Sequence, residues 1–180
     1  GVPTLIDGTQ GAVHMPVDVQ DIGCDFYPIT GHKLCGPTGS GAIYVKAERM
    51  VEMRPFLGGG DMIKEVHKDT VIYNDPPMKF EAGTPPFVEA IGLGAAVDYL
   101  TNISMNEVQQ HSDSLREYAK NKLENIDGLN IIHSLSKNAG CTFAMSIEGA
   151  HATDVSLMLD TYGVAVRAGH HCVQPFHRKL

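Results

Sequence analysis

Two short apolar runs, Cys24 to Ile29 and Gly41 to Val45, are bounded by glycine and enclose the tripeptide Gly31-His32-Lys33. Runs of that length between turn residues read as buried strands, and they restrict the fold more than any other feature of the chain. A third run, Thr4-Leu5-Ile6, ends on Asp7, and Phe87 to Leu100 keeps helical spacing through Phe87, Ile91, Gly94, Ala95 and Val97. Strands alternating with helices predict an α/β fold. Open sheets of this class bind ligands outside the carboxyl ends of their strands, so Asp7 and Lys33, each just past a strand end, are expected on one rim.

From Glu52 to Lys79 the period is lost, with Gly58-Gly59-Gly60 and Asp75-Pro76-Pro77 as breakers, and a long functional loop is expected there. Ser104 and Glu107 form a capping-box pattern that opens a fresh helix, which places a domain boundary near Thr101-Asn102-Ile103. Residues 1–102 then make one domain and 103–180 a small α/β domain. In the second, Val108, Leu115, Ala119, Leu123 and Ile126 give one apolar helix face, and Asp127-Gly128 ends it. Leu129 to His133 and Thr142 to Ile147 read as strands, Asp154 to Tyr162 as a helix stopped by Gly163, and Val164 to Arg167 as a last strand.

Composition narrows the function classes. A formal charge of -7 without any Lys/Arg block argues against a nucleic-acid partner. No stretch reaches the roughly 18 apolar residues of a membrane span, and Gly1-Val2-Pro3 opens into a strand-like run rather than a basic leader, so neither membrane nor targeting signal is expected. The cysteines, Cys24, Cys35, Cys141 and Cys172, stand at irregular spacing with no CxxC pair. That suggests no disulfide framework or zinc ribbon, and fits a reducing cytoplasm.

An acid and an amine held apart along the chain are what a pyridoxal phosphate enzyme needs. The pyridinium nitrogen of that cofactor stays protonated beside a carboxylate, and its aldehyde condenses with a lysine. Asp7 and Lys33 are the candidates. Each has an ordinary reading when taken alone: Asp7 caps a turn, and Lys33 is a solvated lysine. Joined in this order to Phe80-Glu81-Ala82-Gly83-Thr84-Pro85 and to Arg167-Ala168-Gly169-His170-His171-Cys172, the pattern becomes specific.

Through DGTQ at 7–10, CDFYPITGHKLCGPTGSGAIYVK at 24–46, FEAGTP at 80–85 and VAVRAGHHC at 164–172, the chain closely resembles the cysteine desulfurases and selenocysteine lyases. It is most similar to the group II, SUF-type branch of the class V aminotransferase superfamily. The resemblance implies the fold type I of pyridoxal phosphate-dependent transferases, with residues 1–102 as the C-terminal part of the large cofactor-binding domain and 103–180 as a truncated small domain. It implies that Asp7 pairs with the pyridine nitrogen, that Gln10 bonds the phenolate oxygen, and that Thr30 and His32 hold the phosphate. Lys33 would carry the cofactor and later remove the substrate α-proton. Thr84 would reach across a dimer interface to the other subunit's phosphate, where an isolated reading sees a plain Gly-Thr-Pro turn. Thr9 stands where the family usually has Ala, and Thr30 where Ser is more usual.

By the same resemblance, the Cys172 thiolate attacks the sulfur of a bound cysteine, leaving alanine and an enzyme persulfide. Arg167, His170 and His171 could favour its charged form, and Arg167 and His171 are weaker candidates for placing substrate. The other readings of Cys172 are a buried structural cysteine or part of a His-His-Cys metal site. No metal is expected, because adjacent histidines diverge and no fourth ligand is evident. Cys24 and Cys35 are expected as inert packing; Cys141 and His14 have no assigned role.

The implied function is conversion of L-cysteine to L-alanine for iron-sulfur cluster assembly, or the corresponding reaction of L-selenocysteine, in a cytoplasmic homodimer that hands sulfur to an acceptor protein. Family members are roughly twice this long, with a ring-stacking histidine upstream and a carboxylate-binding arginine downstream. The chain is therefore expected to be a partial piece, weak or inactive alone, with exposed edges and apolar surface. The alternatives are another class V enzyme, such as a kynureninase or aminotransferase, and a non-catalytic dimerisation or interaction module.

Overall fold

The computed structural model describes residues 1–132 and 139–179. They form two compact units, Gly1–Gln110 and His111 onward.

In the first unit, β1 (Phe26–Thr30) and β2 (Gly41–Val45) pair antiparallel in a register running from Phe26↔Val45 to Thr30↔Gly41. Both expected strands are present, the first starting two residues later than its apolar run. Thr4-Leu5-Ile6 forms only a single bridge, Leu5 to Phe26, in parallel sense. Backbone bonds extend it: the Phe26 amide donates to Thr4 O at 3.1 Å, Ile6 to Phe26 O at 3.0 Å, and Gly8 to Pro28 O at 3.2 Å. Residues 4–8 are thus laid parallel to β1, and the carboxyl ends of both segments reach the same rim.

Asp25 holds the start of this pair. The residue is 6% exposed, and its carboxylate accepts from the Thr4 amide at 2.8 Å, the Thr4 hydroxyl at 3.3 Å and Arg49 Nε at 3.0 Å, with Lys46 Nζ at 3.7 Å. Arg49 belongs to α3 (Ala47–Glu52), the turn of helix that follows β2; α1 (Gly11–His14) and α2 (Val19–Ile22) lie between residue 8 and β1. Asp18 caps α2 by accepting from the Gln20 and Asp21 amides.

The inner side of β1 is occupied by Tyr27, 6% exposed. Its ring lies over Gly8: a Cβ there would stand 2.0 Å from Tyr27 Cε1 and 2.1 Å from Cζ. Burial first, then the nearby Cys24 and Asp7, push the Tyr27 hydroxyl above its ordinary pKa. Cys24, Leu34, Met62 and Ala96 complete the buried apolar set. Cys35, expected as inert packing, is exposed and sits at φ 62° in the turn after Lys33, because the turn directs Leu34 inward and its neighbour outward.

The segment expected as a long loop holds a hairpin instead, β3 (Ile63–Val66) with β4 (Val71–Tyr73). Ile63, Val66, Val71, Ile72 and Tyr73 have strand preference, and the His67 amide closes the turn on Thr70 O at 2.8 Å. Lys64, Glu65 and an irregular register between Ile63 and Glu65 hide the alternation from the sequence. Beyond it α4 (Phe87–Ile103) forms as expected, and Ser104 at φ 74° turns the chain into α5 (Met105–Leu123), which continues into the second unit. Phe87, Val88 and Ile91 on α4, and Phe56 before the hairpin, are exposed.

In the second unit β5 (Leu129–Ile132) pairs antiparallel with β6 (Ala144–Ile147), and the expected strand residue His133 lies outside the described residues. Helix α6 (Ala152–Thr161) ends at Gly163 (φ 74°). Val164 to Arg167 is not a strand. An apolar run becomes one only when a neighbour accepts its amides, and among the described residues none pairs with it. A short helix, α7 (Gln174–His177), follows the His-His-Cys loop.

Two predictions follow from the packing of residues 4–8. Bonds from the Thr4 amide and Arg49, reinforced by Lys46, lower the Asp25 pKa from 3.8 to about 2. A depressed carboxyl contributes stability above its unfolded value and loses it as pH falls through its folded value. Asp25→Asn is therefore expected to melt earlier at neutral pH, with the gap to the parent narrowing from pH 3.8 towards about 2; a gap independent of pH would refute the clasp. Gly8→Ala is expected to cost about 1–3 kcal/mol by overpacking. In urea titrations much of that cost should disappear in a Tyr27→Ala background.

Candidate active site

Asp7 and Lys33 come together at the rim through a residue between them. The Thr9 amide and hydroxyl both donate to Asp7 Oδ1, at 3.0 and 2.7 Å, and Lys33 Nζ donates to the same Thr9 hydroxyl oxygen at 3.5 Å. The Thr9 hydroxyl thus donates a hydrogen bond to the acid and accepts one from the amine. The two Thr9 bonds, backbone first, hold the exposed Asp7 carboxyl below its ordinary pKa; slight desolvation opposes them, and the Lys33 charge assists. Asp7 is accordingly a carboxylate at neutral pH.

Lys33 is placed by a tight turn. Strand β1 ends at Thr30, residues Gly31–Lys33 make a turn of 3-10 helix, and buried Leu34 anchors it. The Gly31 amide donates to Ser40 O at 2.8 Å, Leu34 and Gly36 both donate to Gly31 O at 2.9 Å, and the Ser40 hydroxyl donates to Pro37 O at 2.8 Å. The base of the lysine is fixed while its side chain stays half-buried at the rim. Thr30 Oγ1 and His32 Nδ1 are 3.0 Å apart on the same turn. An imidazole and a hydroxyl so joined can both address one anion. Gln10 is exposed at the entry to α1, with its carbonyl accepting from the Val13 amide at 3.3 Å.

Thr84 is exposed and follows Gly83, whose amide donates to Gly60 O at 2.9 Å and whose φ is 83°. Among the described residues no hydrogen bond joins it to the Asp7–Lys33 group. The remaining candidates belong to the second unit. Arg167, His170, His171 and Cys172 are all exposed. Gly169 at φ 112° and His171 at φ 50° coil the loop, and the Val173 amide donates to His170 O at 3.1 Å. The His170 ring meets His177 edge-on at 5.7 Å. No group of three His, Cys, Asp or Glu arranged for a metal occurs among the described residues.

The sequence reading missed Thr9, treated there as a substitution without consequence. Part of the signal was present: an aspartate commonly accepts from the backbone amide two residues on, the Asx turn, and a threonine at that position can add its hydroxyl. Chemically, the rim offers an ionised carboxylate that can pair with a cation, a primary amine that can condense with a carbonyl, and an adjacent anion-binding pair. That donor set fits pyridoxal phosphate.

The sequence matches the aminotransferase class-V family over residues 1–180. A probable cysteine desulfurase of Xylella fastidiosa is 46% identical over 175 residues, spanning 97% of this chain and 42% of the relative. Among solved structures, a cysteine desulfurase from Escherichia coli superposes with a TM-score of 0.88 at 40% identity, over 96% of this chain and 43% of its own. The apo cysteine desulfurase from Thermococcus onnurineus gives 0.87 at 32% identity, over 98% and 44%. The chain spans less than half the length of these relatives. Its mixed helix and sheet architecture is their α/β fold, the fold type I expected from the motifs. The chain belongs to the aminotransferase class-V family.

Proposed function

We propose that this chain is the lysine- and cysteine-bearing part of a pyridoxal phosphate-dependent cysteine desulfurase. The observation that carries the reading is that the Asp7 carboxylate and the Lys33 amine stand at one rim, each within hydrogen-bond reach of the Thr9 hydroxyl. The relatives named cysteine desulfurase support it. When bound, the cofactor supplies an electron sink for the substrate's α-carbon.

In this reading Asp7 pairs with the ring nitrogen, Gln10 donates to the phenolate oxygen, and Thr30 with His32 binds the phosphate, to which Thr84 of the other subunit adds a donor. Lys33 holds the cofactor's aldehyde carbon and, once released, removes the α-proton of L-cysteine. The Cys172 thiolate attacks the substrate sulfur; the carbon–sulfur bond breaks with its electron pair left on the β-carbon, Cys172 keeps the sulfur as a persulfide, and protonation of the β-carbon together with return of a proton to the α-carbon gives L-alanine. Arg167 and His171, on the same loop, help place substrate. An acceptor protein then takes the sulfur for iron-sulfur cluster assembly, and L-selenocysteine is the corresponding selenium substrate.

Homodimer formation belongs to the same reading through the Gly83-Thr84-Pro85 segment, which resembles the one that crosses the family's dimer interface. A reducing cytoplasm suits the four free cysteines. Aminotransferase or kynureninase chemistry needs no thiol and leaves the Cys172 loop without a task. A non-catalytic module leaves the Asp7–Thr9–Lys33 link unexplained.

In the full-length protein, Lys33→Ala is expected to abolish the visible absorption of the lysine-bound cofactor; a variant that keeps the band removes Lys33 from the mechanism. Asp7→Asn should lower desulfurase turnover by at least about a hundredfold, since it leaves the ring nitrogen without an anionic partner. Cys172→Ala should keep the cofactor spectrum and lose cysteine-dependent persulfide labelling. Labelling that persists would reassign the nucleophile.

A further inference from the structure

The triglycine run at 58–60, which the sequence shows only as a breaker, packs backbone against backbone on the residues that lead into Thr84. The Gly60 carbonyl accepts from both the Met62 amide at 2.8 Å and the Gly83 amide at 2.9 Å. A Cβ at Gly59 would stand 3.0 Å from Gly83 N, 3.1 Å from Ala82 C and 3.3 Å from Ala82 Cβ, whereas one at Gly58 or Gly60 would meet nothing within 4 Å. The run is itself fixed on its far side. Met62 is fully buried, the Asn74 amide donates to Met62 O at 2.8 Å, and the Asn74 side chain donates to the Asp61 carbonyl.

We propose that Gly59, together with the Gly60 carbonyl, is a positioning residue for Thr84 and so for the cofactor phosphate; this rests on the reading of Thr84 given above. Two of the three atoms facing Gly59 are backbone, so an added methyl group cannot be relieved by rotating a side chain. The 82–83 segment must shift, and Thr84 shifts with it. Hydrogen bonds from a hydroxyl to an ionised phosphate have a narrow range of good distances, about 2.5–2.7 Å, so a displacement of a few tenths of an ångström weakens them. The effect is confined to the phosphate because Asp7 is placed by the 4–8 segment laid along β1, and Lys33 by the turn after β1, not by residues 58–60.

The test uses the full-length protein stripped of cofactor and titrated with pyridoxal 5'-phosphate and, separately, with pyridoxal, which lacks the phosphate. Gly59→Ala is expected to weaken binding of the phosphorylated form about tenfold while changing pyridoxal affinity less than about twofold, as expected for loss of one charge-assisted bond. Gly58→Ala should change neither. Equal effects of Gly59→Ala on both ligands, or none on either, overturn the proposal. Thr84→Ala separates the two layers: if it shows the phosphate-selective loss and Gly59→Ala does not, only the role of Gly59 falls. If Thr84→Ala itself leaves pyridoxal 5'-phosphate affinity unchanged, the reading of Thr84 falls and this inference with it. Circular dichroism scores folding. Should Gly59→Ala fail to fold, Asn74→Ala, which frees the Asp61 carbonyl without adding atoms, is held to the same selective loss.

Discussion

The buried Asp25 carboxylate fixes where residues 4–8 lie, and the rim chemistry depends on that placement. Its bonds to the Thr4 amide and hydroxyl on one side and Arg49 on the other tie the start of the first parallel segment to the helix after β2. A buried acid is costly unless its lone pairs are filled and a cation stands close, and here both conditions are met. From that point the backbone ladder from Thr4 to Gly8 carries Asp7 to the end of β1. Tyr27, filling the space above Gly8, sets how close the two segments come.

At the rim the same economy of parts recurs. One hydroxyl, Thr9, serves as donor to the acid and acceptor to the amine, which keeps opposite charges near each other without a direct ion pair. Such an arrangement leaves both groups free to meet a ligand. Thr30 and His32, proposed to hold the phosphate, come from the same turn as Lys33, so a cofactor anchored there would present its aldehyde to the adjacent amine. The triglycine buttress at 58–60 extends this logic to the segment that carries Thr84.

Much of this was legible in the residues. Glycine-bounded apolar runs marked β1 and β2, helical spacing marked α4, and the DGTQ and GHK motifs marked the acid and the amine. The failures have physical causes. The β3–β4 hairpin escaped notice because Lys64 and Glu65 break its alternation and its register is irregular. Val164 to Arg167 has strand preference but no paired neighbour among the described residues, and preference without a partner does not make a strand. Cys35 looked like core because its neighbours are apolar, yet a turn residue at positive φ points the other way from Leu34.

Sequence by itself determined which chemical groups are present, in what order, and that strand ends would carry them, since these follow from local pattern and motif. Only the tertiary structure decided that Thr9 meets Lys33, 24 positions further along the chain, and that Gly59 lies against Gly83. Contacts between distant segments depend on how strands pair and which side chains fill the space between them, and a one-dimensional pattern records neither.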